Sequence, residues 1–179
     1  MDVAEARQLA KERLADSLPQ RWQHVQAVAA EAERLAESIE LDSETLVCAA
    51  WLHDIGYSPD VAASGFHPLD GARFLREQGW PVEICDLVAH HTCAKVEARE
   101  RSVERELRGE FSDHPGPERD ALWAADATTG PDGRRVTLAE RILEVEQRYG
   151  AGHTVSRCIR MIRPELEAAI ERTKARQPR

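Results

Sequence analysis

The stretch Ala49-Ala50-Trp51-Leu52-His53-Asp54-Ile55-Gly56 closes an apolar helical run with a histidine and an aspartate side by side. Leu46, Val47, Ala49 and Ala50 stack beneath that pair, because residues three, four and seven apart share one face of a helix. His53 and Asp54 are therefore expected to point inward, and a chain that buries two metal-ligand residue types must build its core around them. Gly56 then offers a left-handed cap that ends the helix and turns the chain away.

What can surround such a pair follows from composition. Ala, Leu, Glu and Arg dominate, glycine and proline are sparse, and runs of Val, Ile and Thr are few, which together predict an all-α protein. A length of 179 residues, 42% of them hydrophobic, suits one domain with a substantial core. The net charge of −8 argues against a surface that coats nucleic acid. Cys48, Cys85, Cys93 and Cys158 form no C-x-x-C pair and read as buried free thiols in a reducing compartment. With neither a basic-then-apolar leader nor an apolar run of membrane-spanning length, the expected location is the cytoplasm, with no membrane partner.

The periodicity divides the chain into successive helices. The first is expected over 3–18, ended by Pro19, as a lid or brace. The second runs from Arg21 to Ile39 with Val25, Val28, Ala32 and Leu35 inside and His24 on its inner edge. Asp42 or Ser43 is available to cap the third, which delivers His53 and Asp54. Turn residues between Tyr57 and Phe66 predict a loop over the site. Pro68 suits a first helical position and places His67 at an N-cap.

From Val82 to His91 the pattern separates two adjacent histidines. His91 shares a face with Ile84, Leu87 and Val88, whereas His90 lines up with Glu83 and Asp86 and is expected nearer the pocket rim. Lys95 to Glu110 reads as one surface helix laced with ion pairs, and His114 as an exposed loop residue. Arg119 to Ala127 is an apolar helix in which Asp126 lies one turn from Leu122, so its carboxylate must be paired, hydrogen-bonded or metal-bound. The polar loop 128–135 holds Arg134 and Arg135, suited to phosphate oxygens or simply solvated. Thr137 and Glu140 form a capping box for the next helix, and segments over 156–162 and 164–174 end the chain's helical part.

His24, His53, Asp54 and Asp126 thus come from three helices, each inward-facing by its local pattern. Two imidazoles and two carboxylates suit Mn, Fe, Zn or Mg and leave positions open for water and substrate. In this ordered set the sequence resembles the HD-domain superfamily of metal-dependent phosphohydrolases, over roughly residues 22–148, with the helices at either end packing on that core. The resemblance implies that His24, His53, Asp54 and Asp126 hold a first divalent metal, Fe, Mn or Zn. His67 and His91, with His90 as a further candidate, would serve a second metal or the substrate phosphate, Asp54 bridging if two metals bind. It implies Asp54, His67 and His91 as catalytic residues and a small phosphorylated substrate, nucleotides included. No Gly-Tyr-Pro follows His90-His91, so the cyclic-di-GMP phosphodiesterase branch is not expected. Rival readings are a di-iron oxygenase on the same fold and a non-catalytic, metal-stabilised binding module. A bundle of this size can also form a homodimer through an apolar face.

Overall fold

Alternation of apolar stripes with caps and breakers divides the polypeptide into short helices that must share their buried faces. The computed structural model describes residues 1–39, 41 and 43–178, so the cap expected at Asp42 or from the Ser43 side chain lies outside the described residues. The helices are α1 (Val3–Leu14), α2 (Pro19–Ile39), α3 (Ser43–Leu52), α4 (His67–Glu77), α5 (Val82–Ala89), α6 (Ala94–Glu100), α7 (Glu104–Glu110), α8 (Pro117–Ala127), α9 (Leu138–Tyr149) and α10 (Thr154–Arg176). A single 3-10 turn, Ile55–Tyr57, follows α3. Among the described residues there is no strand, only an isolated bridge between Thr129 and Arg135, and the protein is all-α.

α8 is the axis of the packing. Every residue from Arg119 to Ala127 is buried, as expected of a helix with neighbours on all sides. Ala121, Leu122, Ala124 and Ala125 join a large core with α1 to α5. Trp123 and Ala127 face a second cluster built from α6, α9 and α10 through Val96, Ile142, Val145, Ile159 and Leu166. α1 braces α3 through Ala6, Ala10 and Leu14.

Several boundaries differ from the sequence expectation, each for a physical reason. Pro19 opens α2 instead of closing α1, which already ends at Leu14; a proline's missing N–H costs nothing in a first turn. His67 lies within the first turn of α4, and Phe66 takes the cap position. α5 stops at Ala89, and Thr92 beyond it adopts a left-handed φ of 40°.

The stretch read as one surface helix over 95–110 is two helices, broken at Ser102 with φ 61°. α6 is no surface element, since Ala94, Val96, Glu97 and Ala98 are buried. Conversely, the two final segments are one helix that runs through Pro164. A proline in a helix interior costs about 3 kcal/mol. Ile159, Ile162 and Leu166 lie buried on either side of it, and each such side chain contributes about 1.5–3 kcal/mol, so burial wins.

Gly56 also serves a different purpose from the one its position suggests. It is not among the left-handed glycines, which are Gly65, Gly79, Gly133 and Gly150. A Cβ at Gly56 would fall 2.0 Å from the His67 carbonyl oxygen and 2.7 Å from the Gly71 nitrogen. The glycine allows the 3-10 turn to lie against the backbone of α4, which brings Asp54 and His67 together.

Candidate metal centre

α2, α3, α4 and α8, with the turn after α5, each send a histidine or aspartate to one buried point. His53 follows the last residue of α3, and its Nδ1–H donates to the Ala50 carbonyl at 2.8 Å. His91 repeats the device two residues past the end of α5, donating from Nδ1 to the Val88 carbonyl at 2.7 Å. His24 donates from Nδ1 to the Gly130 carbonyl at 3.0 Å, in the loop after α8. Anchoring Nδ1–H on a backbone carbonyl orients each ring and makes Nε2 the nitrogen that can ligate.

Those Nε2 atoms converge with two carboxylates. His24 Nε2 is 3.1 Å from Asp126 Oδ1, and His53 Nε2 is 4.0 Å from the same oxygen. Asp54 Oδ2 is 3.3 Å from His53 Nε2 and 4.0 Å from His24 Nε2. Its other oxygen, Oδ1, is 3.4 Å from His67 Nε2 and 3.9 Å from His91 Nε2. Two groups of donors result, His24–His53–Asp126 and Asp54–His67–His91, each with ligating atoms within 4.8 Å of one another. Asp54 presents one oxygen toward each.

The electrostatics of the cluster call for a cation. Burial disfavours charge on Asp54, yet Arg21 and His53 reverse that effect and hold its carboxyl well below the usual range. Asp126 is likewise lowered, burial being overcome by its close contact with His24 and the charge of His53. Burial also works against a charged His53, but the adjacent Asp54 carboxylate raises the imidazole to about 9. Burial and neighbouring histidines lower His67 and His91, keeping their rings neutral. His53 Nε2 is buried and has no hydrogen-bond partner, and His67 and His91 oppose their Nε2 atoms at 3.1 Å. A buried ring nitrogen without a partner beside ionised carboxylates fits a bound divalent metal, and the mixed nitrogen and oxygen donors suit Fe, Mn or Zn.

Beside the donors lies a cavity of about 90 Å³. Arg21 forms part of its wall, donating to Asp54 Oδ2 at 2.7 Å. The Arg21 guanidinium lies 4.1 Å over the Tyr57 ring, which stacks on His67 at 3.9 Å. Thr92 donates to Asp126, fixing the second oxygen of that carboxylate. Arg141 and Glu97 add charge to the wall, and Val145, Val155 and Ile159 make it partly apolar. Cys93 lines this cavity and is only half-buried, unlike Cys48, Cys85 and Cys158. The expected loop over the site is held by Asp70, which accepts the N–H groups of Ala63 and Ser64.

Three sequence candidates lie elsewhere. His90 turns away from its neighbour and donates from Nε2 to the Phe111 carbonyl at 3.1 Å, lining a separate cavity; it takes no place beside His67 and His91. The end of α5 at Ala89 rotates the two histidines apart. Arg134 and Arg135 are solvated, their side chains 84% and 69% exposed and paired with Asp132 and Glu31. The loop instead contributes the Gly130 carbonyl. The cations beside the centre are Arg21, three residues before His24, and Arg141, on α9. Arg21 could have been suspected from its spacing, whereas nothing local marks Arg141. His114 is exposed, with Nε2 3.2 Å from Asp86.

A helical bundle whose buried histidines and aspartates form two donor groups around Asp54 has the makings of an all-α metal-binding protein. The HD domain family model matches residues 21–148, and the chain belongs to that family. No curated protein and no solved structure gives a significant match to the chain.

Proposed function

We propose that this protein hydrolyses a small phosphorylated substrate, a phosphomonoester or phosphodiester, at the His24/His53/Asp54/Asp126 centre. The observation that carries the reading is the placement of Arg21 and Arg141 on the same cavity wall as the metal-donor set. Guanidinium groups beside such a centre suit an anionic substrate, since they bind phosphoryl oxygens in a bidentate fashion. At about 90 Å³ the cavity is well below the ~300–1,000 Å³ of a drug-sized ligand site. The phosphoryl end would enter, while the rest of the substrate rests at the mouth against Tyr57 and the apolar wall.

A bound divalent metal would supply Lewis acidity toward a phosphoryl oxygen and lower the pKa of water. His24, His53, Asp54 and Asp126 would hold it, and His67 and His91 would hold a second metal or contact the phosphate. Arg21 and Arg141 orient the phosphoryl group and offset its charge. Neutral His67 and His91 can accept or pass a proton at Nε2. Tyr57, stacked between Arg21 and His67, keeps both from swinging into solvent.

The same two donor groups around Asp54 suit a di-iron oxygenase, and the arginines favour phosphoryl chemistry over it. Metal analysis with paired assays separates the readings: release of p-nitrophenol from its phosphate mono- and diesters, and dioxygen uptake by the iron-loaded protein. Phosphate ester turnover that falls in Arg141→Ala mainly through a higher KM supports the proposal. Dioxygen uptake without ester turnover would overturn it, and tight metal binding with neither activity would favour a binding module. Four unpaired thiols, three of them buried, support a reducing compartment such as the cytoplasm as its location.

A further inference from the structure

His90 and His91 are adjacent in sequence and line different cavities. The cavity at His90 is the larger, about 270 Å³, and is formed by α5, the loop 111–116, the start of α8 and Thr45 of α3. Two of its wall residues are built into the core and left incomplete. His90, 5% exposed, uses Nε2–H on the Phe111 carbonyl, and its other ring nitrogen, Nδ1, is buried and has no partner. Arg119, 8% exposed, has a buried Nε–H that is also unpartnered. Each such group costs about 1–3 kcal/mol when left unsatisfied, and the orphaned His90 nitrogen on the cavity wall marks a site that lacks its ligand.

The charges of the wall select what that ligand is. The basic side chains there already have a carboxylate: Arg119 donates to Asp113 at 2.9 Å, and the His114 ring lies 3.2 Å from Asp86. Asp86 further accepts the Ser112 N–H at 3.0 Å. Glu83 and Glu118 also line the cavity, and neither makes an ion pair among the described residues. The surplus is negative, with Glu83, Asp86, Asp113 and Glu118 set against Arg119. No three donors here lie close enough to hold a metal ion among the described residues, so an inorganic divalent cation is a poor fit.

We propose that this cavity binds a small organic cation, an amine or amidinium on a compact apolar body. Its charged end lies toward Glu83 and Glu118, an N–H reaches His90 Nδ1, and its apolar body packs on Leu87. The inference stands apart from the phosphohydrolase reading, since it uses none of the metal-centre side chains.

The test is an NMR titration of the metal-loaded full chain with benzamidine, benzyl alcohol and benzoate as probes. The Trp123 indole N–H donates to the His90 carbonyl at 3.0 Å, so its resonance reports on the site. Benzamidine should shift the Trp123 indole and the His90 ring, and benzoate should leave both unchanged. Glu118→Gln should weaken benzamidine about fivefold, the loss expected of one partly exposed charge pair. Leu87→Trp should fill the cavity and abolish the shifts; if that variant folds poorly, Glu118→Gln decides. Equal response to benzamidine and benzoate, unaltered affinity in Glu118→Gln, or shifts centred on His67 and His91 would each overturn the proposal.

Discussion

Replacing Gly56 by alanine probes how the two halves of the metal centre are held together. The new Cβ would sit 2.0 Å from the His67 carbonyl oxygen and 2.7 Å from the Gly71 nitrogen, both backbone atoms that cannot rotate aside. Ordinary contact begins near 3.4 Å, so the 3-10 turn and α4 would have to part by about 1.4 Å in an interior packed to crystal density. Overpacking where side chains can give costs typically 1–3 kcal/mol, and with rigid backbone the cost should reach at least the upper end, about 3 kcal/mol. For a chain of this size that lowers Tm by roughly 6–12 °C.

The separation also draws His67 away from Asp54 Oδ1, now 3.4 Å from His67 Nε2. Metal held by Asp54, His67 and His91 should therefore weaken more than metal at His24, His53 and Asp126. Thermal denaturation and metal titration measure both effects. Gly71→Ala, whose nearest contacts are 3.1 and 3.2 Å, should cost only about 1 kcal/mol. Gly56→Asn discriminates the cause, because asparagine tolerates a left-handed backbone but not a missing space. A Gly56→Ala melting point within about 2 °C of the parent, or a well-tolerated asparagine, would refute the reasoning.

Asp54→Ala removes the carboxylate shared by both donor groups and should abolish metal binding and turnover; full metal content in that variant would mean that the centre is misassigned. Metal removal should lower Tm, and because His53 is raised to about 9, metal must displace its proton below that pH. Affinity should then rise about tenfold per pH unit from 7 to 9, with uptake of metal releasing protons in calorimetry; a flat profile would count against it. His91→Ala should reduce turnover at least about tenfold, whereas His90→Ala, on the other cavity, should alter stability more than catalysis. Glu110 accepts hydrogen bonds from Arg73 and Arg76, which lower it from 4.5 to about 2. Its stabilisation is present above pH 4.5 and lost as pH falls through 2. With solvent screening, Glu110→Gln should cost about 1 kcal/mol at pH 7 and nothing near pH 2, read from urea midpoints.

The sequence by itself determined which residues face inward, since helical period is a local property. The Leu46–Ala50 stripe sets the face of His53, the Val25–Val28–Ala32 stripe that of His24, and the burial of Asp126 follows from the apolar helix around it. Capping was legible for the same reason: the Thr137–Glu140 box closes within three residues, and Gly150 ends α9 with a left-handed φ of 86°. Tertiary structure alone decided what depends on distant neighbours. The break between α6 and α7 and the continuity of α10 through Pro164 follow from burial against other helices, which outweighs local preference. The demand for glycine at position 56 comes from α4 crossing it at van der Waals distance. Arg141 reaches the metal cavity from α9, more than eighty residues beyond His53, while Arg134 and Arg135 are carried into solvent. His90 and His91 part because the helix ends one residue before them, and that end is set by the packing of the turn against α8.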